Sequence, residues 1–157
     1  MQTRKPMRLP GYEYDTPGAY FVTVCTANKA PILGKLVGAD DHIGPHTQLS
    51  PIGRVVEKYI KTIPGIDCYV IMPEHVHMIL KVSADETYQG PMWSSAPTGR
   101  NVSVSVRSWK TLITKELGRS IWQRSYYEHV IRDEYDYWEI VRYIMENPAK
   151  RYYRRGR

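Results

Sequence analysis

The sequence has few cysteines and no long apolar segment. Its 157 residues contain only Cys25 and Cys68, which lie far apart in the chain, each within an apolar run. Two such cysteines exclude a disulfide-rich scaffold and a cysteine-type zinc motif, so we expect two reduced thiols in the core. We find neither a signal-peptide pattern nor an apolar run of the roughly 18 residues that a membrane span needs. These absences predict a cytoplasmic protein with no membrane partner.

Internal repeats and composition breaks are also absent, and the length fits one domain, 1–157, with a sizeable core. The formal net charge is +6, which favours an anionic partner. Basic residues cluster at both ends of the chain, and tyrosines are interleaved with the second cluster. Positive charge beside aromatic faces is typical of proteins that bind single-stranded nucleic acid, although a solvated tail has the same composition.

Apolar periodicity and turn residues predict the element order β-α-β-β-α-β-α. This order indicates an α+β fold, a ferredoxin-like split βαβ sandwich with an antiparallel sheet, helices largely on one face and an extra C-terminal helix. Pro148 is expected to stop that last helix. A Gly-, Pro- and Ser-rich segment around 84–101 predicts a flexible loop. The predicted strands are 19–26, 67–72, 75–82 and 127–132, with a short strand or arm at 32–37, and the predicted helices are 51–63, 102–117 and one that Asp133 caps.

Two histidines two residues apart are the most informative local feature. His75 and His77 lie in a predicted strand, where residues two apart share a face. Two imidazoles side by side on a rigid strand can bind one divalent metal ion. Two histidines on a half-exposed strand without any ligand would give the same pattern, because metal sites usually need a third ligand.

The last predicted helix offers candidates to complete such a site. Tyr143 and Asn147 are four residues apart, so they lie one above the other on a single face. A phenol beside an amide oxygen suits a nucleophile next to a metal. An ordinary packed tyrosine and an asparagine at a helix end would explain the same two residues.

Taken together, three segments resemble the REP-associated tyrosine transposases, which are relatives of the single-tyrosine HUH transposases of small insertion sequences. The resemblance covers nearly the whole chain, apart from the loop around 84–101. It rests on YVIMPEHVHMIL at 69–80, IWQRSYYEHVIRD at 121–133 and YIMENP at 143–148, in the family's order and spacing, and on the opening segments 9–14 and 18–26.

The resemblance implies a metal-dependent single-stranded DNA endonuclease and strand transferase that cuts near DNA hairpins. It implies that His75, His77 and Asn147 bind Mg²⁺ or Mn²⁺, although neutral histidines often favour zinc. It implies that Tyr143 is the nucleophile and forms a 5′-phosphotyrosine intermediate. REP-associated relatives also favour a monomer over a homodimer, while the wider family includes both.

Five basic residues are candidate DNA contacts: Arg8, Arg107, Lys110, Arg124 and Arg151. The alternative for the two on the second helix, Arg107 and Lys110, is a solvated helix face.

Other residues of the same region are expected to be structural. Tyr126 and Tyr127 are expected to pack or to stack on DNA, and His129 to be a hydrogen-bonded structural residue. Two other functions compete with the transposase: a non-catalytic single-stranded nucleic-acid-binding module, and a metal-dependent phosphohydrolase that uses water.

Overall fold

The computed structural model describes residues 18–38, 44–82 and 102–155. Arg8 and the predicted loop at 84–101 lie outside the described residues. The strands are β1 Gly18–Cys25, β2 Gly34–Val37, β3 His46–Leu49, β4 Ile66–Ile71, β5 His75–Val82 and β6 Tyr127–Ile131. The helices are α1 Pro51–Ile60, α2 Val102–Leu117 and α3 Glu134–Arg155, with a short 3₁₀ turn at Ala27–Lys29.

Four strands form one antiparallel sheet in the order β4-β5-β1-β6. Two β-α-β units interleave to give this order, with α1 joining β1 to β4 and α2 joining β5 to β6. The predicted ferredoxin-like fold is therefore confirmed. Strand β5 is paired on both sides, so its side chains are held on a rigid support.

The two faces of this sheet are covered by different helices. Tyr20, Val22 and Val24 of β1 are fully buried in the core that includes residues of α1 and α2. Because side chains alternate along a strand, Phe21 and Thr23 point to the other face. Helix α3 packs on that second face, where its Tyr143 ring meets Phe21. The extra helix therefore covers the face that carries the histidines.

Helix α3 is longer than predicted, and the expected stop at Pro148 is wrong. The start is as expected, since the Asp133 carboxylate accepts a 2.7 Å hydrogen bond from the Asp136 amide. The helix then continues through Pro148 to Arg155. A proline inside a helix removes one backbone hydrogen bond and costs about 3 kcal/mol. Here Pro148 is buried, and an ion pair of Arg151 beyond it stabilises the continuation.

A second, two-stranded sheet pairs β2 with β3. The sequence predicted only one strand or arm in this region, and β3 was missed because three of its four residues are polar. The thiols of Cys25 and Cys68 are both free, as predicted, but both residues are only partly buried, so the prediction that they lie in the core is wrong. None of the described helices is long and apolar enough to cross a bilayer.

Candidate active site

His75 and His77 lie side by side on β5, with ring centroids 4.5 Å apart. The prediction that they share a face is confirmed. His77 is only 5% exposed, and its ring stacks on Phe21 at 5.3 Å. Both rings are therefore fixed against the second face of the sheet, beneath α3.

Tyr143 reaches the same place from α3. Its ring centroid lies 5.2 Å from that of His77 and 6.0 Å from that of Phe21. The side chain is nevertheless 46% exposed, so the phenol is open to a substrate while its ring is packed. The structure thus brings together three of the predicted site residues, which two distant sequence segments supply.

Each histidine is oriented by a hydrogen bond at Nδ1. The Glu74 carboxylate lies 2.9 Å from Nδ1 of His75 and accepts its proton, which leaves the lone pair of that ring on Nε2. The Thr23 hydroxyl lies 2.7 Å from Nδ1 of His77. The Nε2 atom of His77 is buried and has no hydrogen-bond partner among the described residues. A buried polar atom without a partner is destabilising, so this atom suits a ligand that the protein does not itself provide.

The electrostatics of the two rings also suit a cation. Burial, reinforced by the neighbouring His75, lowers the pKa of His77 to about 3. Burial lowers the pKa of His75 as well, although the Glu74 carboxylate opposes the change. Both imidazoles are therefore neutral at neutral pH, which is the form that binds metals.

Among the described residues, a third metal ligand would have to be of another type. No group of three His, Cys, Asp or Glu side chains that could hold a metal occurs within the described ranges. Asn147 follows Tyr143 by one helical turn and precedes Arg151 by one, so all three share a face of α3. Since Tyr143 contacts His77 and Arg151 contacts Glu74, Asn147 occupies the helical turn between the residues that make these two contacts. The donor set of two imidazoles and a nearby amide fits a divalent metal.

An ion pair that the sequence did not predict fixes α3 to β5. The Arg151 guanidinium donates to both carboxylate oxygens of Glu74, with Nη2 2.9 Å from Oε2. Burial alone would raise the pKa of Glu74, but Arg151 and His75 outweigh it and the pKa is lowered. We refer to Arg151, Glu74 and His75 as the clamp. The predicted DNA contact Arg151 therefore uses its charge within the protein.

The other predicted DNA contacts that the structure describes lie elsewhere. Arg107, Lys110 and Arg124 line one cleft beside α2. Because α2 packs on the face opposite to the histidines, this cleft is on the other side of the sheet from Tyr143.

The remaining candidates have structural partners. His129 bonds the Asp136 carboxylate at 3.0 Å, and the Tyr126 hydroxyl donates to Ser103 at 3.1 Å, which matches the structural roles predicted for them. Tyr127 is 40% exposed on the histidine face, where its ring makes an edge contact with Phe21 at 6.4 Å. It therefore borders the candidate active site without replacing Tyr143.

Comparisons with known proteins support the same family. No family model matches the chain. A protein of Haemophilus influenzae, described as uncharacterized, is 33% identical in an alignment that covers 92% of this chain and 88% of that protein. A REP-associated tyrosine transposase of Escherichia coli is 33% identical over 66% of this chain. The chain spans only 56% of the length of that transposase.

A solved structure shares the fold. It is a REP-associated tyrosine transposase bound to a REP hairpin, and it matches 92% of this chain and 74% of its own with a TM-score of 0.63. The sequence identity is 23%, so this likeness concerns the fold.

Proposed function

Since the chain is a relative of the REP-associated tyrosine transposases, we propose that it cuts and rejoins single-stranded DNA next to hairpins through a covalent phosphotyrosine. The observation that carries this proposal is the position of Tyr143. Its exposed phenol stands against a neutral histidine pair whose buried member, His77, has a ring nitrogen without a partner among the described residues. A tyrosine with only a packing role would leave the orphan nitrogen of His77 unexplained.

The residues that would hold a metal are His75, His77 and Asn147. When bound, Mg²⁺ or Mn²⁺ supplies Lewis-acid polarisation and orientation of the scissile phosphate. Glu74 and Thr23 orient the rings of His75 and His77 through hydrogen bonds, as residues around a metal site commonly do.

Tyr143 carries the covalent chemistry. Its phenol loses a proton to solvent, and the oxygen attacks the phosphorus. A bond forms between Oη and phosphorus while the bond from phosphorus to the 3′ oxygen breaks. The departing 3′ oxygen takes up a proton, so the products are a 5′-phosphotyrosine and a free 3′-hydroxyl. Attack by another 3′-hydroxyl reverses these steps and joins a new strand without an external energy source.

We infer that the site is completed within one chain. Tyr143 contacts His77, and Arg151 contacts Glu74, in the same molecule. This arrangement supports a monomer that acts in cis.

The test is a search for the covalent adduct. Purified protein and Mn²⁺ are incubated with labelled single-stranded DNA that carries a hairpin, and the products are separated under denaturing conditions. The proposal expects a labelled protein band with the wild type and none with Tyr143→Phe, while both proteins bind the DNA. Cleavage without an adduct would support a phosphohydrolase, and binding without cleavage would support a non-catalytic binding module.

A further inference from the structure

A cleft of about 640 Å³ lies between one face of α2 and the segment 120–126, which leads into β6. We call it the α2 cleft. The α2 residues that line it recur three and four positions apart, so they form one continuous wall. Several hydroxyl side chains line it, among them Ser103, Thr111 and Ser125.

The α2 cleft is strongly positive. Among the described residues that line it, four are basic and none is acidic, the basic ones being Arg107, Lys110, Lys115 and Arg124. None of the four forms an ion pair with another residue in the part of the chain that the structure describes. This differs from Lys58 in α1 and Lys61 just after it, which are both paired with glutamates. Four uncompensated charges around one concavity favour an anion.

Lys110 shows where in the α2 cleft an anion is most favoured. Its ammonium donates a 3.0 Å hydrogen bond to the carbonyl of Gln123 and stands 5.5 Å from the Tyr126 ring centroid. Both partners are neutral, and burial lowers the pKa of Lys110. A half-buried cation without a counterion is destabilising, so an anion in the α2 cleft would offset the charge.

We propose that the α2 cleft binds the phosphodiester backbone of the unpaired strand that flanks the hairpin. The proposal rests on the proposed function, because it takes the substrate to be hairpin-bearing DNA. Basic side chains and hydroxyls together are the usual partners of phosphate oxygens. The cleft has the volume of a small-ligand pocket, which suits a nucleotide of a single strand.

The two DNA sites lie on opposite faces of the sheet, so the strand must pass over an edge. Strand β6 forms the sheet edge nearest the α2 cleft, since the sheet ends at β6 and the segment 120–126 leads into it. Tyr126 lines the cleft, while Tyr127 is exposed on the histidine face. An unpaired strand that crosses β6 can stack a base on Tyr127 and continue to Tyr143. The α2 cleft then determines which phosphate reaches the nucleophile.

The experiment compares two DNAs and two pairs of substitutions. The DNAs are a blunt hairpin and the same hairpin with a single-stranded extension, and affinity is measured by fluorescence anisotropy at several salt concentrations. The test variant is Arg107→Gln with Arg124→Gln, both exposed positions in the cleft. The matched control is Lys35→Gln with Arg54→Gln, which removes the same charge from exposed positions outside the α2 cleft.

The test variant should bind the extended hairpin about tenfold more weakly than the wild type, and its salt slope should be smaller by about 1.4, as expected for two lost single-strand phosphate contacts. The blunt hairpin should lose little affinity, and the control variant should behave as the wild type with both DNAs. Equal losses with both DNAs, equal losses in both variants, or no loss would each overturn the proposal.

The result of this binding experiment can be distinguished from the result of the adduct test. A wild type that forms the Tyr143 adduct while the test variant binds normally refutes the α2 cleft alone. A selective loss of affinity for the extension, in a protein that never forms an adduct, refutes the covalent function alone.

Discussion

The clamp gives a quantitative prediction about how the Tyr143 helix is held. Removing a partner from a fully buried ion pair costs about 3–5 kcal/mol, whereas exposed pairs contribute about 0.2–1 kcal/mol. The side chains of Arg151 and Glu74 are 26% and 14% exposed, so this pair lies between those limits. We expect Arg151→Gln to lower the free energy of unfolding by about 2 kcal/mol, which lowers Tm by about 4–8 °C in a chain of this size.

A double-mutant cycle isolates the interaction from other effects of the substitutions. Urea unfolding of the metal-free protein, followed by circular dichroism, is measured for Glu74→Gln, Arg151→Gln and the double variant. The coupling free energy should be about 2 kcal/mol, because the second substitution removes a partner that is already unpaired. A coupling within about 0.5 kcal/mol of zero would refute the view that this pair fixes α3 to β5.

The same helix provides a control. Lys150 and Glu146 form an ion pair at 3.2 Å, but their side chains are 61% and 47% exposed. Lys150→Gln should therefore change stability by about 0.5 kcal/mol or less. Since α3 also carries Tyr143, Arg151→Gln should slow adduct formation more than it weakens DNA binding. A loss of binding as large as the loss of adduct would mean that Arg151 contacts DNA directly.

Three further predictions concern the histidines and the nucleophile. His75→Ala or His77→Ala should abolish DNA cleavage and largely spare binding, because phosphate contacts supply much of the affinity; wild-type cleavage by either variant with metal present would remove the histidines from the mechanism. An equimolar mixture of His77→Ala and Tyr143→Phe should stay inactive, whereas recovered adduct formation would show that subunits share their sites. In metal-free protein, unfolded His77 binds a proton near its ordinary pKa of 6.5 but the folded form only near 3, so stability falls as the pH drops through this window. Urea titrations between pH 6.5 and 5 measure how the free energy of unfolding changes with pH. This slope should be smaller for His77→Gln than for the wild type by up to about 1.4 kcal/mol per pH unit, and an unchanged slope would contradict the neutral, buried state of His77.

Local patterns in the sequence predicted most of the fold. Alternation along β5 placed His75 and His77 on one face, and the apolar spacing of α2 predicted a helix at 102–117, which the structure confirms. These predictions succeeded because strand and helix periodicities depend on near neighbours. The prediction for the end of α3 failed because that end depends on contacts between residues far apart in the sequence. Tertiary contacts of Pro148 and Arg151 outweigh the local preference of proline to stop a helix.

Only the reactive residues of the candidate site could be predicted from the sequence. The resemblance to a known family named Tyr143 and the histidine pair, and the structure places them within ring contact. The residues that orient them were not predicted. Glu74 is bonded by Arg151, and His77 by Thr23, across 77 and 54 positions of sequence. Neither Thr23 nor Glu74 belongs to a pattern that marks such a partner, so only the pairing of strands and the docking of α3 could reveal these contacts.

The central claim is that Tyr143 becomes covalently attached to DNA. The direct measurement is mass spectrometry of the tryptic peptides from protein that has reacted with hairpin DNA and Mn²⁺ and been treated with nuclease. Cleavage after Arg142 and Lys150 gives the peptide 143–150, in which Tyr143 is the only tyrosine. The account predicts that this peptide carries the mass of a nucleotide. Attachment to peptide 125–132, which contains Tyr126 and Tyr127, or no modified peptide despite DNA cleavage, would contradict it.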